Sequence, residues 1–315
     1  MIVESVLDAF LSPLSITLDP GRRLFWLFLL SSLVLASITV AVQQRRFDLR
    51  EQLRSLGNRR YWFNRSTATD GGLLFLNSLI RGSLLIPLLG SHLAGTILVG
   101  SWLQSQFGDA PSLNLAPALI AITYTVVFFI TEDFSRFALH TVMHKFPVLW
   151  HFHRTHHSAT TLTPLTVHRV HPVEMALYYL RGLVVFSVIS GSFVYLFRGQ
   201  VSGVAILGVD CLGFLFNALG ANLRHSHIFL SFGRLERWFI SPAQHQIHHS
   251  SAVEHQDRNF GTCLAIWDRL LNSWTPAGKR RNFTFGLTEQ ARSEAIKNPA
   301  LGPGFQEAYL QAKRS

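Results

Sequence analysis

Cysteine is nearly absent: Cys211 and Cys263 are the only two in 315 residues. So few, so far apart, suggest neither a disulfide framework nor a thiolate metal site. Charge is also sparse. Asp, Glu, Lys and Arg make up 15% of the chain, with 18 acidic against 28 basic side chains. The H-E-x-x-H pattern of zinc hydrolases does not occur, nor does a solenoid-period repeat or a low-complexity tract. No basic stretch precedes the first apolar residues, so a cleaved signal peptide is not expected.

Apolar residues are abundant. They form 48% of the chain, with a mean hydropathy of +0.25, and they fall in uncharged runs. About 20 apolar residues cross a bilayer as a helix. Spans are expected at about 24–42, 82–103, 115–131, 183–197 and 201–219, the last two joined as a helical hairpin by Arg198-Gly199-Gln200. Leu24–Val42 alone is nineteen residues without a charge. The second region begins near Gly72, holds Arg81, Pro87 and His92, and reads as an interfacial entry followed by one span. Val3, Val6, Leu7, Phe10 and Leu11 suit a membrane surface. Seven arginines between residues 43 and 70 mark that loop as cytoplasmic. The net charge of +10 is better explained by such loops facing an anionic leaflet than by nucleic acid. The expected organisation is a membrane region over 1–114, a histidine-bearing domain over 115–275 and a basic tail over 276–315.

Histidine carries the chemistry. Residues 140–157 hold six histidines in eighteen residues. His140 and His144 are four apart, one helical turn, and so share a face. His153-x-x-His156-His157 follows, and His245-x-x-His248-His249 repeats the pattern about ninety residues later. A lone histidine is more often a satisfied polar group than a ligand. Eight in three spaced clusters are not explained that way, because adjacent protonated imidazoles repel. Neutral imidazole suits iron, zinc, copper and nickel, and eight exceed one tetrahedral site, which favours two metals. The clusters follow the ends of spans, whereas a metal carrier would place ligands near the bilayer midplane or on a mobile tail. Asp133, seven residues before His140, is a candidate to accept from a ligand N–H. His92 and Asp210 fall inside apolar runs; His92 reads as a packed polar group of the bundle, and Asp210 as a partner of Arg181 or a hydrogen-bonding group within the bundle. Glu132 and Arg136 form an i,i+4 pair, and His255 is expected at the surface.

Together with Asp257-Arg258-Asn259-Phe260-Gly261, Trp267-Asp268-Arg269-Leu270 and His171-Pro172-x-Glu174, these clusters resemble the fatty acid hydroxylase/sterol desaturase superfamily of membrane non-haem di-iron enzymes. The resemblance covers about residues 115–275. It departs at His227, where asparagine is common, and at Leu271-Asn272-Ser273, where the family usually has F-G-T. The resemblance implies two irons (zinc being a metal that could replace them in preparations) held by His140, His144, His153, His156, His157, His245, His248 and His249. His225 matches the isolated histidine that members carry after the hairpin. His168, His171 and His227 are candidates to ligate metal, orient a ligand or touch substrate, and Glu174, Asp257 and Asn259 to orient ligands or touch substrate. Dioxygen would oxidise a lipid C–H bond, giving an alcohol or an alkene. Electrons would come from a separate ferredoxin- or cytochrome b5-like protein, since neither end of the chain has room for a fused haem domain. The expected fold is all-α, with about four transmembrane helices and a cytoplasmic helical cap holding the metals.

Overall fold

The computed structural model describes residues 10–279, apart from 112, 114, 198, 200–202 and 207–208, together with residues 283–287. Val3, Val6, Leu7 and most of the basic tail therefore lie outside the described residues. Among the described residues, four helical segments are long and apolar enough to cross a bilayer: Trp26–Gln44, Arg65–Phe107, Pro117–Lys145 and Pro172–Leu196. The chain is a multi-pass membrane protein.

Helix α1 (Trp26–Gln44) ends on Arg45 in the left-handed conformation. α2 (Leu49–Leu56) is capped by Asp48, whose carboxylate accepts from Glu51 N. α3 (Arg65–Ile80) starts on Asn64, which accepts from Thr67 N, then loosens into a π-helical turn over Arg81–Leu85. One more turn, Ile86–Leu89, stops at Gly90 (φ 82°), and α4 (His92–Phe107) begins on a Ser91 cap. The span expected at 82–103 is thus a broken helix.

α5 (Pro117–Lys145) carries the third span directly into His140 and His144. It stops at Phe146 because a residue before proline disfavours the helical region. Pro147 then opens α6 (Pro147–His157), and Pro172 opens α7 (Pro172–Leu196). Proline at the first helical position costs nothing, since that N–H has no partner within the helix.

α4 and α7 pack in parallel through small residues. A Cβ on Gly191 would stand 2.6 Å from Val99 Cβ, so only glycine permits this approach. His92 lies edge-on to Tyr179 and Phe186 at 6.0 and 5.1 Å, a packed polar group within the bundle. α5 runs antiparallel to α7. Tyr124 Oη meets Ser190 Oγ at 2.8 Å at one end, and Arg181 donates to Glu132 Oε2 at 2.7 Å towards the other. The C-terminal end of α5 and the N-terminal end of α7 therefore lie together, which brings His140 and His144 to Glu174.

The returning span expected over 201–219 is not found among the described residues. Among the described residues of that stretch, β1 (Ala205–Ile206) pairs antiparallel with β2 (Val209–Asp210), and α8 (Cys211–Ala218) is eight residues long. Its Phe214 faces the protein, edge-on against Phe28 at 4.9 Å, while Leu215 is exposed. Ala36 of α1 packs on Leu223 and Ile228. Asp210 does not pair with Arg181; it caps α8, accepting from Gly213 N at 2.7 Å.

Candidate metal centre

Three short elements bring the histidines together. The last two turns of α5 present His140 and His144, and α6 presents His153, His156 and His157. α9 (Pro242–His249) presents His245, His248 and His249. Its start is held by a capping box in which Ser241 accepts from Gln244 N while Gln244 Oε1 accepts from Ser241 N at 3.0 Å. His225 comes from the 3-10 turn Ala221–His225.

All nine histidines expected at the metals converge, in two groups whose nitrogens lie within 4.8 Å of one another: His140, His144, His153, His157 and His248 in one, His156, His225, His245 and His249 in the other. Each group draws on separate parts of the chain. In the second, the Nε2 atoms of His225, His245 and His249 stand 3.1, 3.1 and 3.2 Å apart. In the first, His140 Nε2 is 3.1 Å from His153 Nε2. Ligands about 2.1 Å from one ion are separated by roughly 3.0 Å at right-angle coordination and about 3.4 Å at tetrahedral coordination, so these spacings fit a bound ion.

Hydrogen bonds on the outer side of the rings set their orientation. His140 Nδ1 donates to Phe260 O at 2.7 Å, His248 Nδ1 to Arg258 O at 2.8 Å and His156 Nδ1 to Arg169 O at 3.2 Å. A carbonyl only accepts, so the proton sits on Nδ1 and the inward Nε2 carries a free lone pair. His153 Nδ1 lies 2.8 Å from Glu174 Oε1, which serves the same purpose. The Nε2 atoms of His144, His157 and His248 are buried without any hydrogen-bond partner. An unmet buried polar atom costs about 1–3 kcal/mol, and a metal ion would satisfy all three. Burial keeps the imidazoles neutral: it holds His153 and His156 down at about 3, and neighbouring histidines add to it in pushing His157, His225, His245, His248 and His249 well below the usual range. Nine neutral nitrogen donors suit divalent iron or zinc.

The other candidates divide. Glu174 touches a cluster histidine, and Asp257 lies 3.5 Å from His144 Nδ1 while bonding Lys145. Asp133 meets no histidine. Its carboxylate accepts from Cys263 N, Leu264 N and Trp267 Nε1 at 2.8, 3.0 and 2.9 Å, fixing the loop before α10 (Ile266–Leu270). Asn259 is fully buried and structural, donating to Gln244 O and accepting from Thr275 N. His171 caps α7, accepting from Val173 N at 3.1 Å. His227 sits edge-on to Tyr61 at 4.7 Å, away from both groups. His168 lines the adjoining cavity, its Nε2 buried without a partner. His255, expected at the surface, is buried against Phe283.

Two supports escaped sequence reasoning. Asp268 accepts from Phe260 N and Gly261 N at 2.8 and 2.7 Å and so aims the Phe260 carbonyl at His140. Arg169 reaches Asp70 Oδ1 at 2.9 Å and Thr155 O at 3.2 Å, tying α3 and α6 to the loop whose carbonyl holds His156. Asp268 lies in the W-D-R-L motif, which was its signal. Nothing in the sequence distinguishes Arg169.

A multi-pass bundle with a buried, all-histidine double cluster at one end defines a class: membrane proteins whose histidine groups could hold metal ions. Residues 125–273 match the family described as fatty acid hydroxylase. Ornithine lipid hydroxylase OlsE of Rhizobium tropici is 25% identical over 160 residues, which is 50% of this chain and 44% of that protein. Alkylglycerol monooxygenase is 25% identical over 160 residues in Xenopus tropicalis (51% of this chain, 32% of that protein) and 24% identical over 170 in Homo sapiens (54% and 34%). The chain spans less than half the length of these relatives. No solved structure matches. The matched domain and its relatives support the resemblance of residues 125–273 to the fatty acid hydroxylase/sterol desaturase superfamily.

Proposed function

We propose that the protein is a membrane lipid hydroxylase that uses two iron ions and dioxygen. The observation that carries this reading is the pair of buried histidine groups beside a cavity reaching between the helices. His140, His153, His156, His225 and His245 form part of the cavity lining, and Leu74, Ile86, Val170 and Met175 supply apolar wall. Iron, when bound, would supply the activation of dioxygen. The net change is R–H + O2 + 2 electrons + 2 protons → R–OH + H2O, one C–H bond broken and one C–O bond formed. The electrons would come from a separate small redox protein of the ferredoxin or cytochrome b5 kind, acidic enough to meet the basic loops.

The chain's own residues do three things in this scheme. Phe260 O, Arg258 O, Arg169 O and Glu174 hold the ring protons outward, leaving lone pairs for metal. Burial excludes water from the reacting carbon. The cavity fixes which carbon lies against the histidines. The seven arginines of residues 43–70 support placing the histidine end on the cytoplasmic side. Hydroxylation is preferred to desaturation because the relatives named above are a hydroxylase and monooxygenases.

The test is oxygen uptake by the iron-loaded protein with a reductant and a lipid extract, read alongside 18O2 incorporation into lipid by mass spectrometry. One 18O atom per product molecule, absent in His153→Ala, is the expected result. Product lacking the label, or no uptake with any lipid, refutes the proposal.

A further inference from the structure

The cavity beside the histidines is strongly basic. Its volume is about 670 Å3, within the range of small-molecule sites. Arg22, Arg23, Arg81, Arg136 and Arg224 all line it, and among the described residues the only carboxyl group in the lining is Glu174, already engaged with His153. The arginines come from four separate segments: the approach to α1, the π-helical turn, α5 and the 3-10 turn before His225. A solvated face of one helix does not produce such convergence.

Some of this charge is answered within the protein. Arg22 pairs with Asp19 at 3.2 Å and Arg136 with Glu132 at 2.7 Å; Arg224 donates to Ile240 O at 2.9 Å. Arg23 and Arg81 have no carboxylate partner among the described residues. Arg81 Nε is buried without a hydrogen bond, and its guanidinium lies 5.8 Å from the Tyr179 ring. Arg81 opens the π-helical turn, an irregularity common at functional sites, and an ionisable group inside an apolar segment is a functional candidate by default. Burial, with Arg224 and Arg136 nearby, lowers Arg23 to about 9. Burying uncompensated charge is expensive, and a multi-oxygen anion relieves it through several charge-assisted hydrogen bonds.

From this juxtaposition of guanidiniums and histidines in one cavity, we infer that the substrate is a lipid with an anionic head group, phosphate or carboxylate, bound by Arg22, Arg23 and Arg81. The oxidised C–H bond is then close to that head group, not deep in an acyl chain, because both sets of side chains share a single cavity. The apolar wall from Leu74, Ile86, Val170 and Met175 takes the adjoining carbons. This inference rests on the hydroxylase reading only for its regiochemistry; the head-group preference can be tested without turnover.

The experiment is calorimetric titration of the detergent-purified, iron-loaded full chain with dihexanoyl phosphatidic acid, dihexanoyl glycerol and inorganic phosphate. At least tenfold tighter binding of the phosphatidic acid than of the neutral glyceride is expected. Arg81→Gln and Arg23→Gln should each abolish that preference with iron content unchanged, and Arg81→Lys should restore part of it. Should either Gln variant fail to fold, the wild-type comparison decides alone. Equal binding of charged and neutral lipid, or a preference that survives in both Gln variants, overturns the inference. Inorganic phosphate bound as tightly as the lipid also overturns it, since the site would then serve a free anion. A head-group preference in a protein that consumes no oxygen supports the binding site while the hydroxylase reading fails. Oxygen consumption with equal binding has the opposite meaning.

Discussion

Glu174 offers the sharpest single perturbation. Its Oε1 stands 2.8 Å from His153 Nδ1, and the residue is 2% exposed, so no water replaces it when it is removed. Glu174→Leu keeps much of the volume and deletes the acceptor. The His153 ring then loses the partner that holds its proton outward, and its Nε2 lone pair is no longer directed into the first histidine group. Leaving the buried His153 Nδ1 without its partner costs about 1–3 kcal/mol, on the order of ten- to a hundredfold in an equilibrium constant. Losing a partner of a metal-ligating histidine typically costs the same ten- to a hundredfold in metal affinity. Glu174→Gln retains a carbonyl acceptor and should fall at or below the lower end. The assay is competition for iron between the purified protein and a chelator of known affinity, followed by metal analysis of the protein fraction. Glu174→Leu holding iron as tightly as wild type refutes this account of His153 orientation.

Three further outcomes follow from the same geometry. Asp268→Ala strips the partner from two amides, Phe260 N and Gly261 N, at about 1–3 kcal/mol each; it should lower the melting temperature and metal retention together, and a variant that loses neither contradicts the role given to the Phe260 carbonyl. Asp70→Ala leaves the buried Arg169 guanidinium without its carboxylate, at a cost of about 3–5 kcal/mol; a melting temperature within a degree of wild type would contradict it. The chelator-treated protein should lose stability as pH falls below about 6.5. There the unfolded chain's imidazoles take up protons, while burial holds folded His153 and His156 neutral down to about 3. This contribution is complete above pH 6.5 and shrinks below it by about 1.4 kcal/mol per histidine per pH unit. Melting temperatures that stay level or rise from pH 7 to pH 5 would be the contrary result.

The site was largely legible from the chain. Imidazole spacing of four on a helix, and the twice-used H-x-x-H-H, encode both residue type and face, and all nine histidines converge as those patterns require. What holds them was less visible. Phe260 and Arg258 act through backbone carbonyls, which no side-chain pattern records. Asp133 stands on the expected face of α5, yet the amides of residues 263 and 264 and the Trp267 indole reach it first. The spans read well where an apolar run faced outward. They misread 201–219 because composition does not tell a lipid-facing helix from a short one packed inside. Phe214 belongs to the second kind, buried against Phe25 and Phe28. The basic cavity was invisible for a similar reason: Arg23, Arg81 and Arg224 are far apart in sequence and meet only in the fold.

The central claim is that separate histidine clusters build one two-metal centre. Metal analysis of the purified protein, with His153→Ala and His248→Ala beside it, tests this most directly. The account predicts about two iron ions per chain in the wild type, one for each histidine group, and a clear loss in both variants although the two residues lie in different segments. A wild-type protein without bound metal, or variants that keep the full complement, would contradict it.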